Sequence, residues 1–174
     1  MSHRPLAILL VLTLPAVALR AQDHATSHDH AAMTAHDSPS DTSYAAMQER
    51  GRTAMGVDQY SSAHRFDDRP DGGAIELQRD PGDSAGVSVI REHLASIARK
   101  FSAGDFELPG FVHGTTVPGT SVMHARRAGI SYEFDPLPGG GRVIMRTRDP
   151  HAVRAIHAFL AFQRSEHHAP GTAL

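Results

Sequence analysis

Hydrophobic and polar residues alternate with a period of two in four short stretches of the chain. These stretches are residues 62–66, 74–78, 130–134 and 142–147. The turn sequence Pro70-Asp-Gly-Gly73 separates the first two, and Pro138-Gly-Gly-Gly141 separates the last two. Alternation of this kind is typical of strands with one buried face, and glycine supplies the backbone conformations of tight turns. The pattern therefore predicts two β-hairpins.

Each predicted hairpin is followed by apolar residues at helical spacing. The first stripe consists of Ile90, Leu94, Ile97, Ala98 and Phe101, and the second of Val153, Ile156, Phe159, Leu160 and Phe162. The second helix is expected to begin at Asp149-Pro150, because Asp is a good N-cap and Pro is favoured at the first helical position. Another helix is predicted over residues 43–55, with Gly56 near its end.

The two ββα units, at about 60–101 and 130–168, are interpreted as copies of one repeat. Their alignment pairs apolar residues at four positions: Phe66 with Phe134, Ile75 with Val143, Leu77 with Met145, and Leu94 with Leu160. The predicted fold class is α+β, a four-stranded antiparallel sheet with helices packed on one face, plus an N-terminal helix. The inward rows of this sheet are predicted to be Phe66, Ile75, Leu77, Ile130, Tyr132, Phe134, Val143 and Met145.

A long loop, residues 102–129, connects the two repeats. A short helix is predicted near Thr120, whereas Gly104 to Pro118 contains too many glycines and prolines to predict regular structure. Loops of this length in compact domains are more often functional than not. Residues 43–168 are predicted to form a single domain, and residues 169–174 a disordered tail.

The beginning of the chain has the pattern of an export signal. Arg4 precedes an apolar run over residues 6–19, and small residues follow. A membrane-spanning helix needs roughly 20 apolar residues, so no span is expected in the mature form. Cleavage after Ala18 and cleavage after Ala21 both fit the pattern. Residues 1–21 are predicted to be a signal peptide, which indicates a periplasmic or secreted protein.

Residues 22–42 are predicted to be a disordered leader rich in His and Asp. Its histidines, His24, His28, His30 and His36, are candidate ligands for a divalent metal ion such as Cu, Zn or Ni. Cleavage after Ala21 would place His24 third in the mature chain, where the terminal amine, two amides and the imidazole suit Cu(II) or Ni(II). The alternative is a solvated polar tail that binds metal only incidentally.

Composition excludes several classes of function. The chain has no cysteine, so disulfides and thiolate metal sites are excluded. Its 17 basic and 19 acidic residues argue against a nucleic-acid partner. The chain also lacks the H-E-x-x-H, G-x-S-x-G and P-loop motifs. These observations favour a non-enzymatic binding protein.

A second candidate metal site lies within the domain. His64 shares the inward face with Phe66, and His93 lies next to the buried stripe of the first helix. His113 and Met123, both in the long loop, are candidates to close over the other two. Such a set suits copper. The alternative is that these histidines are core residues whose nitrogens are hydrogen-bonded within the fold.

Another hypothesis assigns ligand or partner binding to the long loop or the sheet face. Its candidate residues are Phe106, Phe111 and His113, and in this case the leader is incidental. An exposed strand edge would also allow a dimer.

His167 and His168 are expected at a helix end, where the macrodipole favours imidazolium. The remaining histidines of the domain, His124, His151 and His157, are interpreted as surface residues.

Several short motifs resemble those of a group of small exported bacterial proteins. The motifs are Met47-Gln-Glu-Arg-Gly51, Ala54-Met-Gly-Val-Asp58, His64-x-Phe66, Gly72-Gly73, Gly104-Asp-Phe106 and Phe159-Leu-Ala-Phe-Gln163. Members of this group are similar in having a variable His-containing leader and a two-unit domain, which here covers residues 44–168. The resemblance implies an architecture and a location, and no catalytic residue.

Overall fold

The computed structural model describes residues 39–174, which contain one antiparallel sheet. The predicted signal peptide, most of the leader and the leader histidines His24, His28, His30 and His36 lie outside the described residues. The sheet order is β1-β2-β4-β3. Its strands are β1 (Ser62–Arg69), β2 (Gly72–Arg79), β3 (Ile130–Leu137) and β4 (Gly140–Thr147). The two predicted hairpins therefore pair through β2 and β4, with Ile75 opposite Val143.

Five α-helices occur in the described part of the chain. They are α1 (Pro39–Met55), α2 (Ser84–Ser102), α3 (Glu107–His113), α4 (Thr120–Ala125) and α5 (Pro150–Glu166). The start of α5 is as predicted, because the Asp149 side chain accepts a hydrogen bond from the His151 amide at 2.9 Å. With the antiparallel sheet, these helices confirm the α+β class. None of the helices within residues 39–174 is long and apolar enough to cross a membrane.

The two long helices pack crosswise on the sheet. Helix α2 packs mainly on β3 and β4, whereas α5 packs mainly on β1 and β2, so each helix covers the hairpin of the other repeat. Equivalent contacts fix both: Arg91 donates to the Leu137 carbonyl at 2.7 Å, and His157 donates to the Arg69 carbonyl at 2.9 Å. The repeat alignment pairs Arg91 with His157 and Arg69 with Leu137. The duplication seen in the sequence thus extends to individual hydrogen bonds.

The core lies between the sheet and these two helices. Most of the predicted inward row is buried, whereas Tyr132 and Phe134 are partly buried and pack against it. Gly73 lies directly beneath Leu160, and a Cβ at this position would collide with the Leu160 side chain. A glycine is therefore required here because the helix approaches the strand so closely.

The segment between the repeats differs from the prediction. Residues 104–118 contain a helix, α3, although both Pro109 and Gly110 lie within it. Pro109 falls in the first turn, where backbone N–H groups have no partner inside the helix, so its missing N–H breaks no hydrogen bond. Gly114 ends the helix in the left-handed conformation, with φ of 66°. Helix α4, by contrast, begins at Thr120 as predicted.

The last residues also differ from the expectation of a disordered tail. Residues 169–174 lie alongside the outer edge of β1. There the Phe66 amide donates to the Pro170 carbonyl at 3.1 Å, and the Asp68 amide donates to the Thr172 carbonyl at 2.8 Å. Arg164 anchors the segment, because it forms an ion pair with Asp68 at 2.9 Å and also donates to the Thr172 carbonyl. The outer edge of β1 is therefore covered by the chain itself.

Candidate functional site

A cavity of about 90 Å³ lies between the two long helices, above β1 and β2. Helices α1 and α3 close it on the other side, through Gly51, Ala54 and Met55 and through Leu108, Pro109 and Val112. Apolar side chains form most of the wall. Four histidines interrupt this apolar lining: His64, His93, His113 and His167.

Each histidine comes from a different part of the fold. Alternation along β1 places His64 on the inward face with Phe66, and helical spacing places His93 beside Leu94 on α2. His113 is the last residue of α3, and His167 is the C-cap of α5. The structure therefore brings together His64, His93 and His113, which sequence analysis had grouped as candidates, and adds His167.

Other candidates do not join this cavity. Met123 is fully buried in the hydrophobic core and does not line the cavity, because α4 packs its inward face against α5. Met123 is therefore not brought together with the histidines. Phe106 packs against Phe101, with ring centroids 4.6 Å apart, and Phe111 is 52% exposed. Neither of these two rings lines the cavity.

His167 is the central ring of the cluster. It stacks on His64 with centroids 4.7 Å apart, and it meets His113 edge to face at 5.1 Å. Sequence reasoning placed His167 at a helix end and expected imidazolium there. The structure contradicts this expectation, because burial, together with the charges of the neighbouring His64, His113 and His168, lowers the pKa of His167 to about 3.

The hydrogen bonds of His113 define its tautomer. Its Nε2 lies 3.0 Å from Oε1 of Gln163, which can only accept, so Nε2 carries the proton. Its Nδ1 is consequently an unprotonated acceptor. The Nδ1 atoms of His113 and His167 are both buried and have no hydrogen-bond partner among the described residues. His93, in contrast, is hydrogen-bonded to the backbone of Ala54.

The cluster is electrically neutral near pH 7. Burial lowers the pKa values of His64 and His93 to about 4, and the proximity of His93 adds to the shift at His64. Burial also lowers the pKa of His113. No Asp or Glu lines the cavity within the described residues. The cavity thus presents neutral imidazoles, the form that binds metal ions.

An outer cavity of about 190 Å³ adjoins the inner one. His64 and His167 line both cavities. The outer cavity is more polar. Tyr44, Gln48 and His168 line it, and the Tyr44 and His168 rings stack at 4.6 Å.

Size limits what the inner cavity can hold. Pockets for drug-sized ligands have volumes of about 300–1,000 Å³, and one water needs about 10–15 Å³ of such space. About 90 Å³ therefore suffices for a metal ion with several waters or for a very small molecule. Within residues 39–174, no three His, Asp or Glu side chains are already arranged so that they could hold one metal ion together. Binding to three imidazoles requires at least one ring to turn.

Comparisons of the chain with protein-family models, curated proteins and solved structures find no match. The fold and the cavity therefore define the protein by themselves: a duplicated α+β domain that encloses a cluster of neutral histidines.

Proposed function

We propose that this protein is an exported, non-enzymatic binding protein that takes up a transition-metal ion, Cu, Zn or Ni, in the histidine cavity. The observation that carries the proposal is the convergence of four histidines on one small cavity, two of them with buried, unpaired Nδ1 atoms. The export pattern of residues 1–21 supports a periplasmic or secreted location.

The hydrogen bonding of His113 favours a ligand over a purely structural role. Buried side-chain nitrogens are normally hydrogen-bonded, and leaving one unpaired costs about 1–3 kcal/mol. A metal-binding histidine typically donates its other ring N–H to an oxygen, which fixes the orientation of the ring. His113 shows this arrangement, with Nε2 donating to Gln163 and Nδ1 available. The cost of the unpaired nitrogen is then offset when a metal ion binds.

The His-rich leader is the second candidate site, as its spacing of His24, His28, His30 and His36 indicates. The two sites are compatible, since the leader precedes α1 and the cavity lies within the domain. A third possibility, that the loop 102–129 binds an organic ligand or a protein partner, shares one residue with the cavity, because His113 belongs to α3. The volume of the cavity favours the metal ion over an organic ligand.

Native mass spectrometry of the exported protein with equimolar Cu, Zn or Ni tests the proposal. His167→Phe removes the central imidazole and keeps an aromatic ring in its place, and alanine at all four leader histidines removes the second candidate site. His151→Gln is the matched control, because His151 is exposed and lies outside the cavity.

We expect the leader variant and the control to retain one metal ion and His167→Phe to lose it. Loss of the ion only in the leader variant would transfer the function to the leader. A wild-type protein that holds no metal ion would refute metal binding at both sites.

A further inference from the structure

We propose that the histidine cavity selects copper(I) over divalent metal ions. This inference rests on the proposed function and names the ion that the cavity is built to hold. Two features of the described residues lead to it: the absence of carboxylates from the lining, and the neutral nitrogen and sulfur side chains that it contains.

The lining offers no charge to balance a divalent ion. Its polar side chains are the four histidines and Gln163, and the remaining side chains are apolar. Two charged side chains shift the pKa of His113: Glu166 raises it and Arg50 lowers it. Neither of them lines the cavity. The cost of burying an ion rises with the square of its charge, so a divalent ion pays about four times the penalty of a monovalent one. Neutral ligands in an apolar wall therefore favour the monovalent ion.

The kinds of donor atom in the lining also favour copper(I). Copper(I) commonly has only two or three ligands and needs no water among them. Imidazole binds copper well, and thioethers favour copper(I) over harder ions. Met55, which lines the cavity, brings a thioether to the same wall.

The ring separations allow the imidazoles to share one ion. With metal–nitrogen bonds of about 2.0 Å, an ion lies about 3.2 Å from the centroid of each ring whose nitrogen points at it. The 5.1 Å between the His113 and His167 centroids then corresponds to an angle of about 105° at the ion, which is near the tetrahedral value and suits copper(I) and zinc(II) equally. His64, stacked on His167 at 4.7 Å, is the third donor once its ring turns. We expect copper(I) to be bound by His64, His113 and His167.

The test uses the full chain with all four leader histidines changed to alanine, so that only the domain contributes. Copper(I) is titrated without oxygen against the chromogenic chelator bicinchoninate, and zinc(II) against a chromogenic zinc chelator. We expect one copper(I) per chain, bound at least about 100-fold more tightly than zinc(II). His167→Phe should weaken copper(I) binding by about 100-fold, whereas His151→Gln should not change it. X-ray absorption should show a shell of three nitrogens.

The outcomes separate the two proposals. Zinc(II) bound as tightly as copper(I), and lost in His167→Phe, would overturn the selectivity for copper(I) and leave the metal-binding function standing. A protein that binds neither ion would refute both. Circular dichroism confirms that each variant is folded, and His64→Tyr, the residue found at this position in the second repeat, tests the third ligand independently of His167.

Discussion

Acid is expected to destabilise the metal-free domain strongly between pH 7 and pH 5. Burial lowers the pKa values of His64 and His93 to about 4 and that of His167 to about 3. In the unfolded chain these histidines titrate near pH 6.5. Below that pH the unfolded state binds protons that the folded state excludes, so the free energy of unfolding falls as the pH falls. The loss continues until the pH reaches the lowered pKa values.

The expected magnitude follows from the same pKa values. Consider a histidine whose pKa is near 4 or below in the folded state and near 6.5 in the unfolded state. At pH 5, each such histidine lowers the free energy of unfolding by about 2 kcal/mol. Three such groups together cost about 6 kcal/mol between pH 7 and pH 5, which is comparable to the whole stability of many small domains. The carboxyl of Asp67 does not contribute in this range, because its pKa lies below the usual 3.8.

Urea unfolding followed by circular dichroism, with a chelator present, measures this effect at pH 7, 6 and 5. The His167→Phe variant should lose about a third less stability than the wild type over the same range, because it lacks one of the three titrating groups. A wild-type change below about 1 kcal/mol would show that the histidines are protonated without unfolding, which would contradict the burial that lowers their pKa values.

Three further substitutions test other features of the structure by thermal or urea unfolding at pH 7. His167→Phe should stabilise the metal-free protein by about 1 kcal/mol, because it removes a buried unpaired nitrogen; a loss of stability would mean that Nδ1 has a partner. Arg164→Met should cost about 3–5 kcal/mol, because it leaves Asp68 buried without its ion pair, whereas Arg65→Met, at an exposed pair, should cost under about 1 kcal/mol. Equal costs would refute the role assigned to burial. Gly73→Ala should lower the free energy of unfolding by about 1–3 kcal/mol, because its Cβ collides with Leu160. Gly129→Ala is the control and should be nearly neutral, because the space around Gly129 is open. A neutral Gly73→Ala would show that α5 can move away from β2.

Local patterns in the sequence were sufficient to predict the sheet and its helices. Period-two alternation placed Phe66 and His64 on the inward face of β1, and helical spacing placed His93 near the buried stripe of α2. Both patterns act within a few residues, and burial of one face enforces them along the whole element. Two of the four cavity histidines therefore follow from periodicity.

The remaining features depend on contacts between distant segments. His167 is partly buried because α5 crosses onto the hairpin of the other repeat, and no local pattern at a helix end reports that packing. Helix α3 was missed because proline and glycine were interpreted as breakers, although a proline in the first turn is compatible with a helix. Met123 was grouped with the histidines by chemistry alone, and the packing of α4 directs it into the core.

The two repeats solve the same packing problem with different rings. The repeats align through Phe66 with Phe134 in the strands and through Leu94 with Leu160 in the helices. In this alignment His64 corresponds to Tyr132, and His167 corresponds to Phe101. Tyr132 and Phe101 meet edge to face at 6.0 Å, as the equivalent of the His64–His167 stack at 4.7 Å.

His93 likewise corresponds to Phe159, which is fully buried. Both sets leave a buried polar atom without a hydrogen-bond partner among the described residues, the Tyr132 hydroxyl in one and the Nδ1 atoms of His113 and His167 in the other. The sets differ in that the imidazoles make stability sensitive to acid, and that neutral imidazole, unlike a phenyl ring, binds metal ions. This difference between the repeats supports the proposal that a metal ion binds at the imidazole set.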